Sequence, residues 1–320
     1  MELLGIHHLS AMTKNAQDNV DFYTKVLGMR LVKKTVNQDD PSMYHLFYGD
    51  EVGNPGTELT FFEMDQIGQN HDGNNSISTT SLRVPNDEAL KYWEERLTHL
   101  DVEHEGIVEQ FGRRVIPFRD HEKQRLMLVS DEKNEGVSGG IPWQQSKADP
   151  QHGVIGLGPI HLTIPDLERT EAVLTEVMGF RRSGTYEFTQ TENEVVVFET
   201  GEGGAGAELH VHVSPNLHPE RLGRGGVHHV AFRVQSEEEL YQWIDRLNQS
   251  KLGNSGFVDR YYFKSVYFRE PNGILFELAT DGPGFTTDED ELNLGETLAL
   301  PPFLEEKREE ITKNLKPINY

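Results

Sequence analysis

The sequence predicts an α+β fold assembled from four β-α-β-β-β modules, and three internal matches predict it. Residues 23–30 read Tyr-Thr-Lys-Val-Leu-Gly-Met-Arg and return at 174–181 as Leu-Thr-Glu-Val-Met-Gly-Phe-Arg. Residues 87–97 return at 237–247, with Leu90, Trp93 and Leu97 matched by Leu240, Trp243 and Leu247 on one helical face. The stretches 115–120 and 126–131 align without a gap with 265–270 and 276–281. The modules begin near His8, Ser81, His161 and His229. The first resembles the third and the second the fourth, as expected from duplication of a two-module ancestor.

The elements follow in chain order. The first module opens on a strand, Ile6-His7-His8-Leu9-Ser10-Ala11, and its helix ends at Gly28, a residue suited to the position just past a helix C-terminus. The second carries the helix at 87–97, whose Trp93 is expected to pack on a sheet, as is Trp243 in its copy. A Gly/Ser/Pro-containing stretch at 134–153 reads as a linker. The third module has His161 in its first strand and Gly179 after its helix. The fourth reads as a strand at 227–234, a helix at 237–247, and extended segments at 256–263, 266–268 and 274–279. Modules 1 and 2 thus fall within 1–140 and modules 3 and 4 within 150–282. Residues 283–320 form a tail, with Leu300-Pro301-Pro302-Phe303 followed by a short charged helix at 305–311 expected to pack on the body.

Composition narrows the partners. Asp and Glu number 53 against 30 Lys and Arg, a net charge of -23 that disfavours nucleic acid and anionic membranes. With no cysteine, disulfides, thiolate metal sites and a cysteine nucleophile are excluded. The first residues lack a basic region followed by an apolar stretch, and no apolar run has the length of a membrane span, so a cytoplasmic protein is expected. Association into a homo-oligomer stays open.

The duplication supplies an internal control. His229, Glu277, Tyr267 and Arg260 of module 4 align with Ser81, Met127, Pro117 and Gln110 of module 2. The apolar frame is shared and the polar set is not, so the set is expected to serve chemistry rather than folding. Glu277 stands inside the apolar strand Ile274-Leu275-Phe276-Glu277-Leu278-Ala279, where an unpaired carboxylate is costly. A histidine and a glutamate on neighbouring strands make half of a metal site. The doublet His7-His8 is repeated as His228-His229, and side chains alternate along a strand. Register with His161 makes His8 and His229 the inward members, so His8, His229 and Glu277 are the expected ligands. His161 is the rival to His8. If His8 ligates, module 1 pairs with module 4 and module 2 with module 3.

The motifs Gly5-Ile6-His7-His8-Leu9, Gly226-Val227-His228-His229-Val230-Ala231-Phe232 and Phe268-Arg269-Glu270-Pro271-Asn272-Gly273-Ile274-Leu275-Phe276-Glu277 resemble the vicinal oxygen chelate superfamily. Within it they are similar to ring-cleaving dioxygenases acting on hydroquinones, and the resemblance spans nearly the whole chain. It implies modules paired into two incomplete-barrel domains. It also implies Fe(II), with Mn(II) or Zn(II) as alternatives, at His8, His229 and Glu277. His7, His228, Arg260 and Tyr267 become pocket residues, with Ser10 beside them. The implied reactants are a small aromatic diol, hydroquinone-like or catechol-like, and O2. Two other readings remain: a glyoxalase-type metal lyase or isomerase, and a drug-binding protein of the same fold that needs no metal.

Other motifs receive plainer readings. Glu63 could occupy the carboxylate position of module 1 and add a fourth ligand, but is expected not to. His210 and His212 share a strand face with Glu208 and read as a partly exposed strand rather than a second metal site. The glycines of 201–206 read as a mobile turn. The charges at 305–310 read as a solvated helix face.

Overall fold

Each module changes its apolar period from two to about 3.6 and back, and it folds as strand, helix, then three strands. The structure, a computed structural model, describes residues 1–188 and 193–319. Module 1 comprises β1 (Ile6–Thr13), α1 (Ala16–Val20) continued by a π-helical turn (Asp21–Val26), β2 (Arg30–Val36), β3 (Tyr44–Gly49) and β4 (Glu58–Glu63). Module 2 comprises β5 (Ser76–Val84), α2 (Asp87–His99), β6 (Val108–Gln110), β7 (Arg113–Arg119) and β8 (Arg125–Ser130). Module 3 comprises β9 (Gly156–Ile164), α3 (Leu167–Ala172) with its own π-helical turn (Val173–Val177), β10 (Arg181–Phe188), β11 (Asn193–Glu199) and β12 (Glu208–Val213). Module 4 comprises β13 (Val227–Val234), α4 (Glu237–Gln249), β14 (Val258–Asp259), β15 (Lys264–Arg269) and β16 (Leu275–Thr280).

Local chemistry sets the helix ends. The Asn86 side chain accepts from the Ala89 amide at the start of α2, and Ser236 accepts from Glu239 at the start of α4. Trp93 and Trp243 are buried against the sheets. Gly28 has φ +68°, and a Cβ there would lie 2.2 Å from Ser146 Oγ, so the chain can turn and pass the 134–153 stretch only with glycine.

The strands form two curled eight-stranded sheets. One has the order β14-β15-β16-β13-β1-β4-β3-β2 and the other β10-β11-β12-β9-β5-β8-β7-β6. The first joins modules 4 and 1 through antiparallel β1 and β13, and the second joins modules 3 and 2 through β9 and β5. Each sheet therefore takes one module from 1–140 and one from 150–282. Within each of those stretches the modules meet through their helices and loops. The Tyr23 hydroxyl donates to Asp120 Oδ2 at 3.0 Å, Arg96 Nε to the Val26 carbonyl at 2.9 Å, and Arg246 Nη2 to the Glu176 carbonyl at 2.8 Å.

Strand register corrects one alignment. Ser81 stands opposite Met127 on β8, and Ala231 stands opposite Glu277 on β16. With Met127 matched to Glu277, the counterpart of Ala231 is Ser81. The counterpart of His229, two residues back, is Thr79, not Ser81. Side chains on one face of a strand recur at every second residue, so both choices fall on the same face of β5 and the alternating pattern alone did not separate them.

The tail crosses module 1. The ammonium of Lys33, fully buried, meets Asp288 at 2.6 Å and also Glu289, and the Ala299 amide donates to the Lys34 carbonyl. Pro302 starts α5 (Pro302–Glu305) as a separate turn, so the charged helix α6 occupies Arg308–Asn314 rather than 305–311, with Ile311 buried. Among the described residues no helix is long and apolar enough to cross a membrane.

One carboxyl in this frame yields a pH test. Burial pushes Glu220 up to about 7, against the hydrogen bond it accepts from Asn70 Nδ2 at 3.0 Å. The folded chain then holds a proton that the unfolded chain releases near ~4.3. This raised carboxyl makes folding less favourable as pH rises from ~4.3 through about 7. Glu220→Gln is expected to raise the melting temperature at pH 8 by roughly 2–4 °C and to leave it unchanged at pH 4. Equal shifts at both pH values would assign the effect to something other than this proton.

Candidate metal centre

Three side chains from three adjacent strands converge on one point. Ser10 of β1 pairs with His229 of β13, which sets His8 beside the doublet of module 4, and β13 runs parallel to the strand that carries Glu277. His8 Nε2 lies 3.1 Å and His229 Nε2 2.8 Å from the same oxygen, Glu277 Oε2, and the two nitrogens are 3.3 Å apart. All three residues are buried. Glu277 Oε1 accepts from the Ser265 hydroxyl, which holds the carboxylate in place.

The neighbours assign the protons. His7 Nε2 faces the Thr280 carbonyl at 3.0 Å and must donate there, because a carbonyl only accepts. Burial, then His8, lowers His7 to about 3, so it is neutral and its Nδ1 is an acceptor. His8 Nδ1 therefore donates to His7 Nδ1 at 3.0 Å, and His8 Nε2 turns a lone pair toward Glu277. His229 Nδ1 is paired in the same manner with His228 Nδ1 at 2.8 Å, and burial lowers His228 to about 4. Glu277 Oε2 is buried and lacks a hydrogen-bond partner of acceptable geometry, although two nitrogens crowd it. Burial raises its proton affinity, but His8 and His229 beside it outweigh that and hold the carboxyl well below the usual carboxylate range, so it stays ionised. Two imidazole lone pairs and an orphaned carboxylate oxygen around one point fit a divalent cation, with the outer histidines orienting the inner ones. A second cluster, His7, His8 and Glu58, also lies close together. There His8 and His7 have spent their Nδ1 atoms on each other, and burial pushes the Glu58 carboxyl well up, so it suits a cation poorly.

The centre opens on a cavity of about 400 Å³ between the concave face and the 35–43 stretch. Tyr267 stands opposite Glu277 across β15 and β16, with its ring 5.8 Å from that of His229. Its hydroxyl accepts from Arg260 Nε at 3.1 Å, and Arg260 Nη1 meets Asp39 at 3.0 Å. Burial and the Glu277 charge raise the Tyr267 phenol, so it keeps its proton. Ser10 lines the same cavity and shares a 2.7 Å hydrogen bond with Thr60. His7 stands behind His8 and His228 lines the cavity.

The rivals lie elsewhere. His161 is on β9 in the other sheet, 2.9 Å from His212 through Nδ1. His210 lies buried between Glu208 and the Tyr186 hydroxyl, and Arg113 holds Glu208, so His210 and Glu208 are spent on protein contacts. Glu63 accepts from the Ala16 amide at 2.9 Å and serves the start of α1. The carboxylate position of module 1 is taken by Thr60: it stands opposite Ser10 as Glu277 stands opposite Ala231. Sequence reasoning missed Thr60, Phe263 and His45, all beside the cavity. His45 had a usable signal. The β2–β3 hairpin pairs Thr35 with His45, and the β10–β11 hairpin places Val195 at the matching point.

The chain is similar to known proteins over nearly its whole length. The sequence pattern of the glyoxalase/bleomycin resistance protein/dioxygenase superfamily matches residues 5–128 and 156–278. A candidate ring-cleaving dioxygenase of Bacillus subtilis (strain 168), MhqA, is 54% identical over 318 residues, covering 99% of this chain and 100% of that protein. The chlorohydroquinone/hydroquinone 1,2-dioxygenase of Sphingobium indicum is 30% identical over 321 residues, covering 97% of this chain and 95% of that protein. A crystal structure of a candidate dioxygenase from Bacillus subtilis superposes with a TM-score of 0.90 at 35% identity, covering 99% of this chain and 98% of that one.

Proposed function

We propose, for a chain that belongs to the glyoxalase/bleomycin resistance protein/dioxygenase superfamily, a ring-cleaving dioxygenase that takes Fe(II) at His8, His229 and Glu277 and opens hydroquinone-like rings. The observation that carries this reading is the donor count. Thr60 stands where module 1 would supply a second carboxylate, and Glu63 serves a helix start, so the centre has three protein donors. Two histidines and one carboxylate leave positions open on a six-coordinate ion for a ring oxygen and O2 together. A lyase or isomerase of glyoxalase type is better served by a fourth protein ligand. A drug-binding protein would have no use for three convergent buried donors.

Bound Fe(II) would supply a redox-active Lewis acid at which a deprotonated ring oxygen and O2 meet, chemistry that redox-inert Zn(II) lacks. In the overall reaction both oxygen atoms enter the product and the ring carbon–carbon bond beside a hydroxylated carbon breaks, with no outside reductant. The chain's residues orient and protonate. Phe47, Phe62 and Phe263 wall the cavity with apolar surface and exclude water around the ring. His228, neutral at pH 7 with its Nδ1 accepting from His229, keeps its proton on Nε2 and donates it in a hydrogen bond to the ring oxygen once that oxygen has released its own proton to water. Tyr267 keeps its proton and donates it in a hydrogen bond to the ring oxygen, because its own oxygen already accepts from Arg260. Arg260 places a positive charge where anionic character develops.

Metal analysis beside O2 uptake tests the proposal. Protein purified without oxygen is expected to carry about one Fe per chain, the stoichiometry of one three-donor centre. It should consume O2 with hydroquinone faster than with catechol. A protein loaded with zinc that consumes no O2 on either diol would overturn the reading.

A further inference from the structure

We infer that His45 hydrogen-bonds the far hydroxyl of the ring, and so selects substrates whose second oxygen lies across the ring from the one at the metal centre. The inference rests on the dioxygenase reading of the site. His45 is on β3, two strands from β1 in the order β13-β1-β4-β3. Two strand spacings put it about 10 Å from β1, the nearest of the three strands that carry the proposed ligands. A metal–oxygen bond, the length of a six-membered ring and one hydrogen bond together span about that distance. An ortho oxygen would lie beside the first, at the metal, and would not reach β3.

The side chain is built to hold one orientation. Its ring lies between Phe47 and Phe62, with centroids 4.0 and 4.1 Å away. Nε2 shares a 3.0 Å hydrogen bond with Thr60 Oγ1, and Thr60 shares a 2.7 Å bond with Ser10. Nδ1 has no hydrogen-bond partner among the described residues and is not sealed from solvent, and His45 lines the cavity. Burial, with His8, His229 and Arg260 nearby, lowers its proton affinity far below the usual value, so it presents one N–H and one lone pair across the ring. A hydroxyl can answer either nitrogen state, since it both donates and accepts. The other sheet shows that the hairpin does not need this residue, because Val195 fills the matching place.

Calorimetry under nitrogen, on the iron-loaded protein, compares hydroquinone with phenol, which lacks the second hydroxyl. Wild type is expected to bind hydroquinone about 10-fold more tightly, the scale of one well-placed hydrogen bond. His45→Phe keeps the aromatic packing and should erase that preference while changing phenol binding less than about twofold. His45→Gln keeps a hydrogen-bonding group and should restore part of it, which guards against a variant that merely misfolds. Equal weakening for both rings, or a preference intact in His45→Phe, overturns the inference. A wild type that prefers hydroquinone and loses the preference in His45→Phe, yet consumes no O2, would sink the dioxygenase reading and leave the assignment of His45 standing.

Discussion

Alanine at His8, His229 or Glu277 is expected to strip the chain of its metal and reduce ring cleavage to background. Each is proposed to supply one of three donors, and neither Thr60 nor Glu63 is placed to replace it. Thr60 is a neutral hydroxyl already shared with Ser10 and His45, and Glu63 points to the α1 amides. The loss should not be a loss of fold. Each change shortens one side chain and leaves the backbone pairing of β1, β13 and β16 in place. His161→Ala is the matched control. It lies on the other sheet against His212 and should keep both iron and turnover. Metal content, melting temperature and O2 uptake read together decide the point. Retained iron in the Glu277 variant, or lost iron in the His161 variant, would return the choice of ligands to the second sheet.

Tyr267→Phe is the second large effect. The change removes one hydroxyl from a half-buried ring whose packing on His229 and under the Arg260 guanidinium stays available. Iron content should be unchanged, while turnover on hydroquinone should fall by roughly 10²-fold, the worth of one hydrogen-bond donor aimed at developing negative charge. Arg260→Gln should give a different signature. Arg260 reaches both the Tyr267 hydroxyl and Asp39, so its loss releases the 35–43 wall and removes the cation together. A higher KM accompanied by a lower kcat is expected there. The competing account makes both residues props for the sheet edge. In that case melting temperatures would fall and turnover per iron would stay near wild type.

Much of this was legible without coordinates, and the reasons are specific. The strand at 227–234 is β13 as drawn from the sequence, because an alternating apolar pattern between turn residues has few other solutions. The π-helical turns before Gly28 and Gly179 were not legible. They add a residue without changing which face is apolar. Glu277 stood out because an acid inside an apolar strand needs a partner. His45 did not, because one histidine on a half-buried strand is unremarkable until its hairpin is laid over the one that carries Val195.

The repeat by itself determined that there are four α+β modules of two kinds, and which copy lost the polar set. That information is local and periodic, so a single chain can carry it. The tertiary structure decided which modules share a sheet. The first strands β1 and β13 pair edge to edge although more than two hundred residues separate them. The helix and loop contacts of neighbours in sequence, such as Tyr23 with Asp120, are made elsewhere. It also decided that Thr60 rather than Glu63 holds the carboxylate position of module 1, and that Ser10 stands opposite it. Both depend on inter-strand register. A register is set by hydrogen bonds between distant segments, and a shift of one residue turns every side chain to the other face.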